Sequence, residues 1–213
     1  METRIHEITS QSNRRIKIGV IPGHFATNHS HVNYYVDMTG VKTHHKAAKE
    51  TAAELAKAYM SSTDVDTIIC LEGTEIIGAF LARELAKEGH TSINSGKDIC
   101  VITPETNANN QMIFRDNLQK DIFGKQIILL ISSASTGKTI SRSVECLQYY
   151  NGKLAGISSI FSAIDEYNGI KINSVFTSDD IPNYESVSFE KCDMCRSGQK
   201  IDAIINSYGY SKI

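Results

Sequence analysis

Side-chain types and spacing first suggest chemistry in the run QIILLISSASTGKTISRSVECL, residues 126–147. An apolar, strand-like segment ends in Ser132 and Ser133, a small-polar loop follows, and a helix-like segment opens at Lys138. Backbone N–H groups at a helix start, with the helix dipole behind them, are suited to holding a phosphate. Ser135, Thr136 and Thr139 would add hydroxyl donors, Gly137 the turn, and Lys138 a positive charge. One reading is a degenerate Walker A loop, GxxxxGK[ST], with Ser132 where the first glycine belongs. The acid-terminated apolar run that should follow such a loop would then end at Asp165.

Other chemically capable side chains are scattered. Cys192 and Cys195 form a CxxC in KCDMCRSGQK, whereas Cys70, Cys100 and Cys146 lie in apolar or helical runs as small hydrophobes. A structural zinc site needs four ligands, and one CxxC supplies two. The pair reads as half of a zinc site completed by histidines or a second subunit, as a redox pair, or as a turn with no special chemistry. His24, His29 and His31 cluster, and His29 and His31 share one face of an extended segment. They suit a base-binding surface, two metal ligands, or a plain polar loop, because no neighbouring acid or cysteine completes a ligand spacing. His44 and His45 open a helix and read as solvated, and His90 is a further candidate.

The elements that must position these residues alternate. Ile16 to Val20, Tyr34 to Val36, Asp66 to Leu71, Ile99 to Ile102, Gln126 to Ile131, Leu154 to Phe161 and Lys171 to Phe176 read as strands. His45 to Met60, Glu75 to Glu88 and Lys138 to Tyr150 carry helical spacing, the last two closed by Gly89 and Gly152. Residues 103–112 are polar and aperiodic, as in a functional loop. The segment 201–210 has enough apolar character to dock as a short helix. Strands alternating with helices imply an α/β fold with a mostly parallel sheet flanked by helices. Ligands then gather at the C-terminal ends of the strands, at the loops 71–75, 103–111 and 132–139.

Composition narrows the classes. The chain has 213 residues, 22 Lys+Arg against 24 Asp+Glu, and 41% hydrophobic residues, which fits one domain that needs no disulfide staple. The near-neutral balance argues against a nucleic-acid partner. No apolar stretch suggests a membrane span or leader, and the scattered cysteines suit the cytoplasm.

Four segments resemble the phosphoribosyltransferase family, most closely orotate phosphoribosyltransferase-like proteins. GHFATNHSHVNYYVD, residues 23–37, is similar to that family's N-terminal substrate hood. DTIICLEGTEIIGAFLA, residues 66–82, resembles its pyrophosphate-loop strand and helix. GKQIILLISSASTGKT, residues 124–139, resembles its phosphoribosyl-pyrophosphate signature, and residues 154–165 with 169–177 its last strands. The resemblance implies a type I phosphoribosyltransferase-like domain over residues 1–213, with a hood to about residue 45 and a CxxC-containing tail from about residue 182. It implies transfer of a phosphoribosyl group from phosphoribosyl pyrophosphate to a nitrogenous base in nucleotide metabolism, pyrimidine-type by the orotate likeness. Mg²⁺ dependence and a homodimer are implied with it.

Carried over position by position, the resemblance puts the 5′-phosphate on Ser135, Thr136, Gly137, Lys138 and Thr139, and the ribose on Ser132 and Ser133. The pyrophosphate loop becomes Glu72, Gly73, Thr74 and Glu75. The base would meet His24, Phe25, Tyr34, Tyr35 and the Asp165-Glu166 pair. The sequence departs from the pattern at charged positions. Two serines replace the family's adjacent carboxylates, and Glu72 and Glu75 put negative charge in a loop that would receive a polyanion. The 103–111 loop has no basic residue, so that Arg115 is the nearest replacement, and Asp165-Glu166 stands for an Asp-Arg pair. Altered or lost activity is therefore expected. Two alternatives are a non-catalytic nucleotide-binding or regulatory protein on the same fold, and a nucleotide-phosphate enzyme using the degenerate Walker loop.

Overall fold

A computed structural model of the chain describes residues 2–89, 92–107 and 111–213. His90 and residues 108–110 of the aperiodic loop lie outside the described residues. The chain opens with three strands, β1 (His6–Thr9), β2 (Lys17–Ala26) and β3 (His31–Asp37), then helices α1 (Thr39–Thr43) and α2 (His45–Ala56). Next come β4 (Thr67–Cys70), α3 (Glu75–Ala86), β5 (Cys100–Ile102), a small arm of β6 (Glu105–Thr106) and β7 (Met112–Ile113), and the short α4 (Asp116–Gln119). β8 (Gln126–Ala134), α5 (Lys138–Tyr149), β9 (Lys153–Ser162), β10 (Glu166–Tyr167) and β11 (Ile170–Thr177) follow. The tail holds β12 (Ser186–Val187), α6 (Asp193–Arg196), β13 (Ala203–Asn206) and β14 (Gly209–Lys212).

The central sheet runs β10-β11-β9-β8-β4-β5, parallel except for the β10 edge. Its apolar runs are continuous because both faces are covered. Ile68, Cys70, Ile128 and Leu130 join the core with Ala52 and Leu55 of α2 and Ile77 and Leu81 of α3. The intervening Ile69, Ile127, Leu129 and Ile131 pack on the opposite side with Ile140 and Leu147 of α5. That alternation fixes register, since a one-residue slip would exchange the two faces. The loops after β4 and β8 are thereby brought side by side, Leu71 N–H donating to Leu130 O at 2.9 Å.

A second sheet has the order β12-β3-β2-β13-β14, with β1 also on β2, and it joins the N-terminal hood to the tail. The apolar part of the tail therefore forms a β-hairpin and not a short helix. Its burial alternates, with Ala203 and Ile205 buried and Ile204 and Asn206 exposed, which is the period of a strand. Ala203 pairs with Phe25 in parallel, and the two share a small core with Ile21, Val32 and Tyr35. Asp202 fastens the junction: its N–H donates to His24 O at 2.7 Å, and its carboxylate accepts from His24 N–H at 2.9 Å and from Arg4 at 2.8 Å. Among the described residues no helix is long and apolar enough to cross a membrane.

Candidate functional site

A cleft of about 470 Å³ opens where the β8–α5 loop, the β4–α3 loop, β3 and the turn of the tail hairpin meet. Residues 133–140 form its floor. Gly137 precedes α5 at φ +73°, a conformation that costs an L-residue roughly 1–2 kcal/mol and that glycine adopts freely. No side chain caps this helix start. Lys138 and Arg142, one helical turn apart, line the cleft with His29 from the hood. The His29 pKa is pushed down, first by burial and then by Lys138 and Arg142. Two cationic side chains and an imidazole thus line the cleft at a helix N-terminus, an arrangement whose chemistry suits an anion.

The opposite end is acidic. Glu72 lies outside the helix, in the left-handed region at φ +61°, with Gly73 following at φ +79°. Its Oε2 accepts a hydrogen bond from Ser132 Oγ at 2.6 Å and a longer one from Ser133 N–H at 3.3 Å. Its main-chain carbonyl accepts from Lys42 Nζ at 3.1 Å, and the same ammonium donates to Ser207 O at 2.5 Å in the hairpin turn. Lys42 is buried, which pushes its pKa down against the opposing pull of Glu72, Asp37 and Glu75. Contacts from β8 and from Lys42, itself anchored to Ser207, therefore hold a strained acidic residue in one geometry, as functional sites often do. A carboxylate from the β4–α3 loop thus sits beside Ser132 and Ser133 near the end of β8.

The walls are aromatic and polar. Tyr34 and Tyr35 of β3 line the cleft, with Tyr184 and the hairpin-turn residues 206–208. The Tyr35 ring meets Tyr210 edge-on at 5.3 Å, and burial, then Asp37 and Tyr210, push its phenol up to about 12, so it stays a neutral donor. Tyr184 lines the cleft with Ser135, and its ring meets Phe161 edge-on at 5.1 Å.

Several sequence expectations need correction. Ser132 is fully buried with its hydroxyl proton committed to Glu72, so only Ser133 of the serine pair lines the cleft. Thr74 is buried too, donating to the carbonyls of Leu71 and Leu130, while Glu75 is an exposed first-turn acid bonded to Thr103 Oγ1 at 3.1 Å. His24 and Phe25 are wholly buried within the hood and do not line the cleft. Asp165 and Glu166 are exposed at the β10 edge of the sheet, also outside it. Arg115 pairs with Glu105 through two hydrogen bonds of 3.0 and 2.6 Å on the exposed β6–β7 arm. Of the histidines, His24 and His31 come together with Cys192 and Cys195, while His29 goes to the cleft. His44 and His45 are exposed at the start of α2.

Sequence reasoning missed Lys42, Arg142, Tyr184 and Ser207. Arg142 carried a signal, since four residues after Lys138 puts it on the same helical face. Lys42 and Ser207 carried none, because their partners are 30 and 165 residues from Lys42 in sequence.

Mg²⁺ does not fit the described donors well. It favours hard oxygens from one or two carboxylates together with substrate phosphates. Here Glu72 is the one acid among the described residues that line the cleft, its neighbours at the end of β8 are serines, and its Oε2 already accepts two hydrogen bonds.

No protein-family model and no curated protein matches the sequence. The fold is nonetheless shared with solved phosphoribosyltransferases. Adenine phosphoribosyltransferase from Thermoanaerobacter pseudethanolicus superposes with a TM-score of 0.51 at 18% identity, over 83% of this chain and 96% of that one. The enzyme of the same name from Rhodothermus marinus gives 0.51 at 11% identity, over 83% and 95%. UMP synthase from Leishmania donovani gives 0.55 at 16% identity over 84% of this chain, which spans 36% of that longer protein. The chain has the type I phosphoribosyltransferase fold, in agreement with the resemblance read from its sequence.

Proposed function

We propose that the cleft binds a nucleoside 5′-monophosphate, and that phosphoribosyl transfer from phosphoribosyl pyrophosphate is altered or lost. In this reading the 5′-phosphate lies at the start of α5 between Lys138, Arg142 and His29. Glu72 and Ser133 take the ribose hydroxyls, and Tyr34 and Tyr35 border the base. The observation that carries the reading is Glu72, whose carboxylate is held at the end of β8 in the loop that a pyrophosphate would need. A like charge at 4 Å costs about 4 kcal/mol per unit charge at an effective dielectric of 20. A helix N-terminus returns only about 0.3–1 kcal/mol. Repulsion wins at the pyrophosphate end, while the basic end still favours a single phosphate.

Calorimetric titration tests this directly, with uridine and adenosine 5′-monophosphates beside phosphoribosyl pyrophosphate plus Mg²⁺. The expected result is saturable binding of a monophosphate and at least tenfold weaker binding of the pyrophosphate compound. Equal or tighter binding of the latter, with turnover in a screen of bases, would return the protein to the transferase reading.

The same site predicts a pH dependence. Free His29 has its pKa lowered, so it is mostly neutral at pH 7, and a bound phosphate favours the imidazolium. Affinity should therefore rise as pH falls through the bound-state pKa and level off below the free-state one. Phosphate itself gains a proton near pH 6, which acts in the opposite direction. The comparison with His29→Gln isolates the histidine: titrations at several pH values should show a rise toward acid in the native protein that is absent in the variant.

A further inference from the structure

Four ligand-type side chains converge away from the cleft, two from the hood and two from the tail. His24 lies on β2 and His31 on β3, while Cys192 and Cys195 flank and join α6. Their ligand atoms all lie within 4.8 Å of one another, although Cys195 is 164 residues from His31 in sequence. His24 Nε2 is 3.0 Å from His31 Nδ1, 3.5 Å from Cys192 Sγ and 3.6 Å from Cys195 Sγ, and Cys195 Sγ is 3.2 Å from His31 Nδ1. A tetrahedral zinc ion with bonds of about 2.05 Å to nitrogen and about 2.3 Å to sulfur would set N···N near 3.4 Å and N···S near 3.6 Å. The four distances lie within about 0.4 Å of that geometry.

We propose that His24 Nε2, His31 Nδ1 and the thiolates of Cys192 and Cys195 bind one Zn²⁺ ion in a closed structural site that fastens the tail to the hood. Each ligand is prepared for that role. The strand register slips between Pro22 and Phe25, and this bulge holds His24 beside His31. Gln199 O lies 3.0 Å from His24 Nδ1, so the ring proton resides on that nitrogen and the Nε2 lone pair faces the cysteines. His24 and Cys192 are fully buried, and Phe189 packs edge-on over His31 at 5.9 Å. Zn²⁺ displaces the two thiol protons, and two thiolates with two neutral imidazoles leave the buried centre uncharged. The soft sulfur–nitrogen set selects zinc over magnesium or calcium. A disulfide would use the two sulfurs but would leave both imidazoles aimed at them without a role.

The test uses the full chain. Metal analysis of protein purified without added metal should give one zinc per chain. Replacement by Co²⁺ should give the intense visible bands of a tetrahedral site with thiolate-to-metal charge transfer. Cys195→Ser and His31→Asn should each weaken or abolish those bands. On chelation, hydrogen exchange should rise in β13, β14 and residues 23–32 while the central sheet stays protected, a readout available even where a variant folds poorly. Metal-free protein with no thiolate–Co²⁺ bands, bands unchanged in both variants, or a native Cys192–Cys195 disulfide would overturn the site. None of these readouts depends on what the cleft binds.

Discussion

Glu72→Gln is expected to lower nucleoside 5′-monophosphate affinity by about 10- to 100-fold, the effect of losing a charge-assisted hydrogen bond worth roughly 1.5–3 kcal/mol. Glutamine keeps the size of the side chain and can still accept from Ser132, so the loop should hold its shape. What it loses is the negative charge that would meet a ribose diol between Glu72 and Ser133. The decisive comparison removes the diol from the ligand as well. A 2′,3′-dideoxy monophosphate should bind the native protein as weakly as the full ligand binds the variant, and the two losses should not add. Phosphoribosyl pyrophosphate should move the other way, binding the variant more tightly because a like charge has gone. Additive losses, or no change with either ligand, would remove Glu72 from the site.

Gly78→Val is expected to destabilise the fold by about 3 kcal/mol or more, the upper range for overpacking a close-packed core. Gly78 lies on the face of α3 that meets the sheet, where an added Cβ would collide with Sγ of Cys70 and approach Val101 Cγ1 to 3.3 Å. Cys70 is the last residue of β4, directly before the Leu71–Thr74 loop. The helix cannot retreat without moving that loop, because Gly78 N–H donates to Thr74 O at 2.8 Å and Thr74 Oγ1 is bonded to Leu71 and Leu130. Thermal unfolding should show a large fall in Tm. Gly78→Ala should show a smaller one, with weaker monophosphate binding where it still folds. A Tm unchanged in the valine variant would contradict this packing.

These two positions differ in how far sequence revealed them. The β4–α3 unit was legible because TIIC is buried on both faces and the helix after it repeats its apolar residues at helical spacing. The β8–α5 loop was legible as a cleft-lining segment because small hydroxyl residues and GKT lie between an apolar run and a helix. In the sequence Glu72 shows only as a negative charge in a loop that would receive a polyanion. Its left-handed backbone and its bond to Ser132, 60 residues away, are tertiary facts. The tail hairpin was misread because IDAIINSYGY is too short for either period to dominate, and pairing with β2 decided it. The histidine–cysteine cluster was half legible: the CxxC reads as half of a site that histidines could complete, but which histidines cannot be told from local spacing, since His24 is 168 residues from Cys192. Contacts within a strand–loop–helix unit can be read in advance; those that close the hood cannot.

That closure has a kinetic side. The central sheet pairs strands that follow one another within a few tens of residues, apart from the β4–β8 pairing, which spans 60. The hood sheet waits for Ala203 to find Phe25, 178 positions away, the longest loop that any described strand pairing must close. Non-local pairings of this kind form late, because the chain entropy of closing them is spent before their contacts form. On the ribosome, the β4–β11 core can assemble while the hood still shows Ile21, Phe25 and Val32 to solvent. The emergence of residues 186–212 then both completes the hood and supplies the remaining wall of the cleft, so the cleft takes shape after the sheet beneath it.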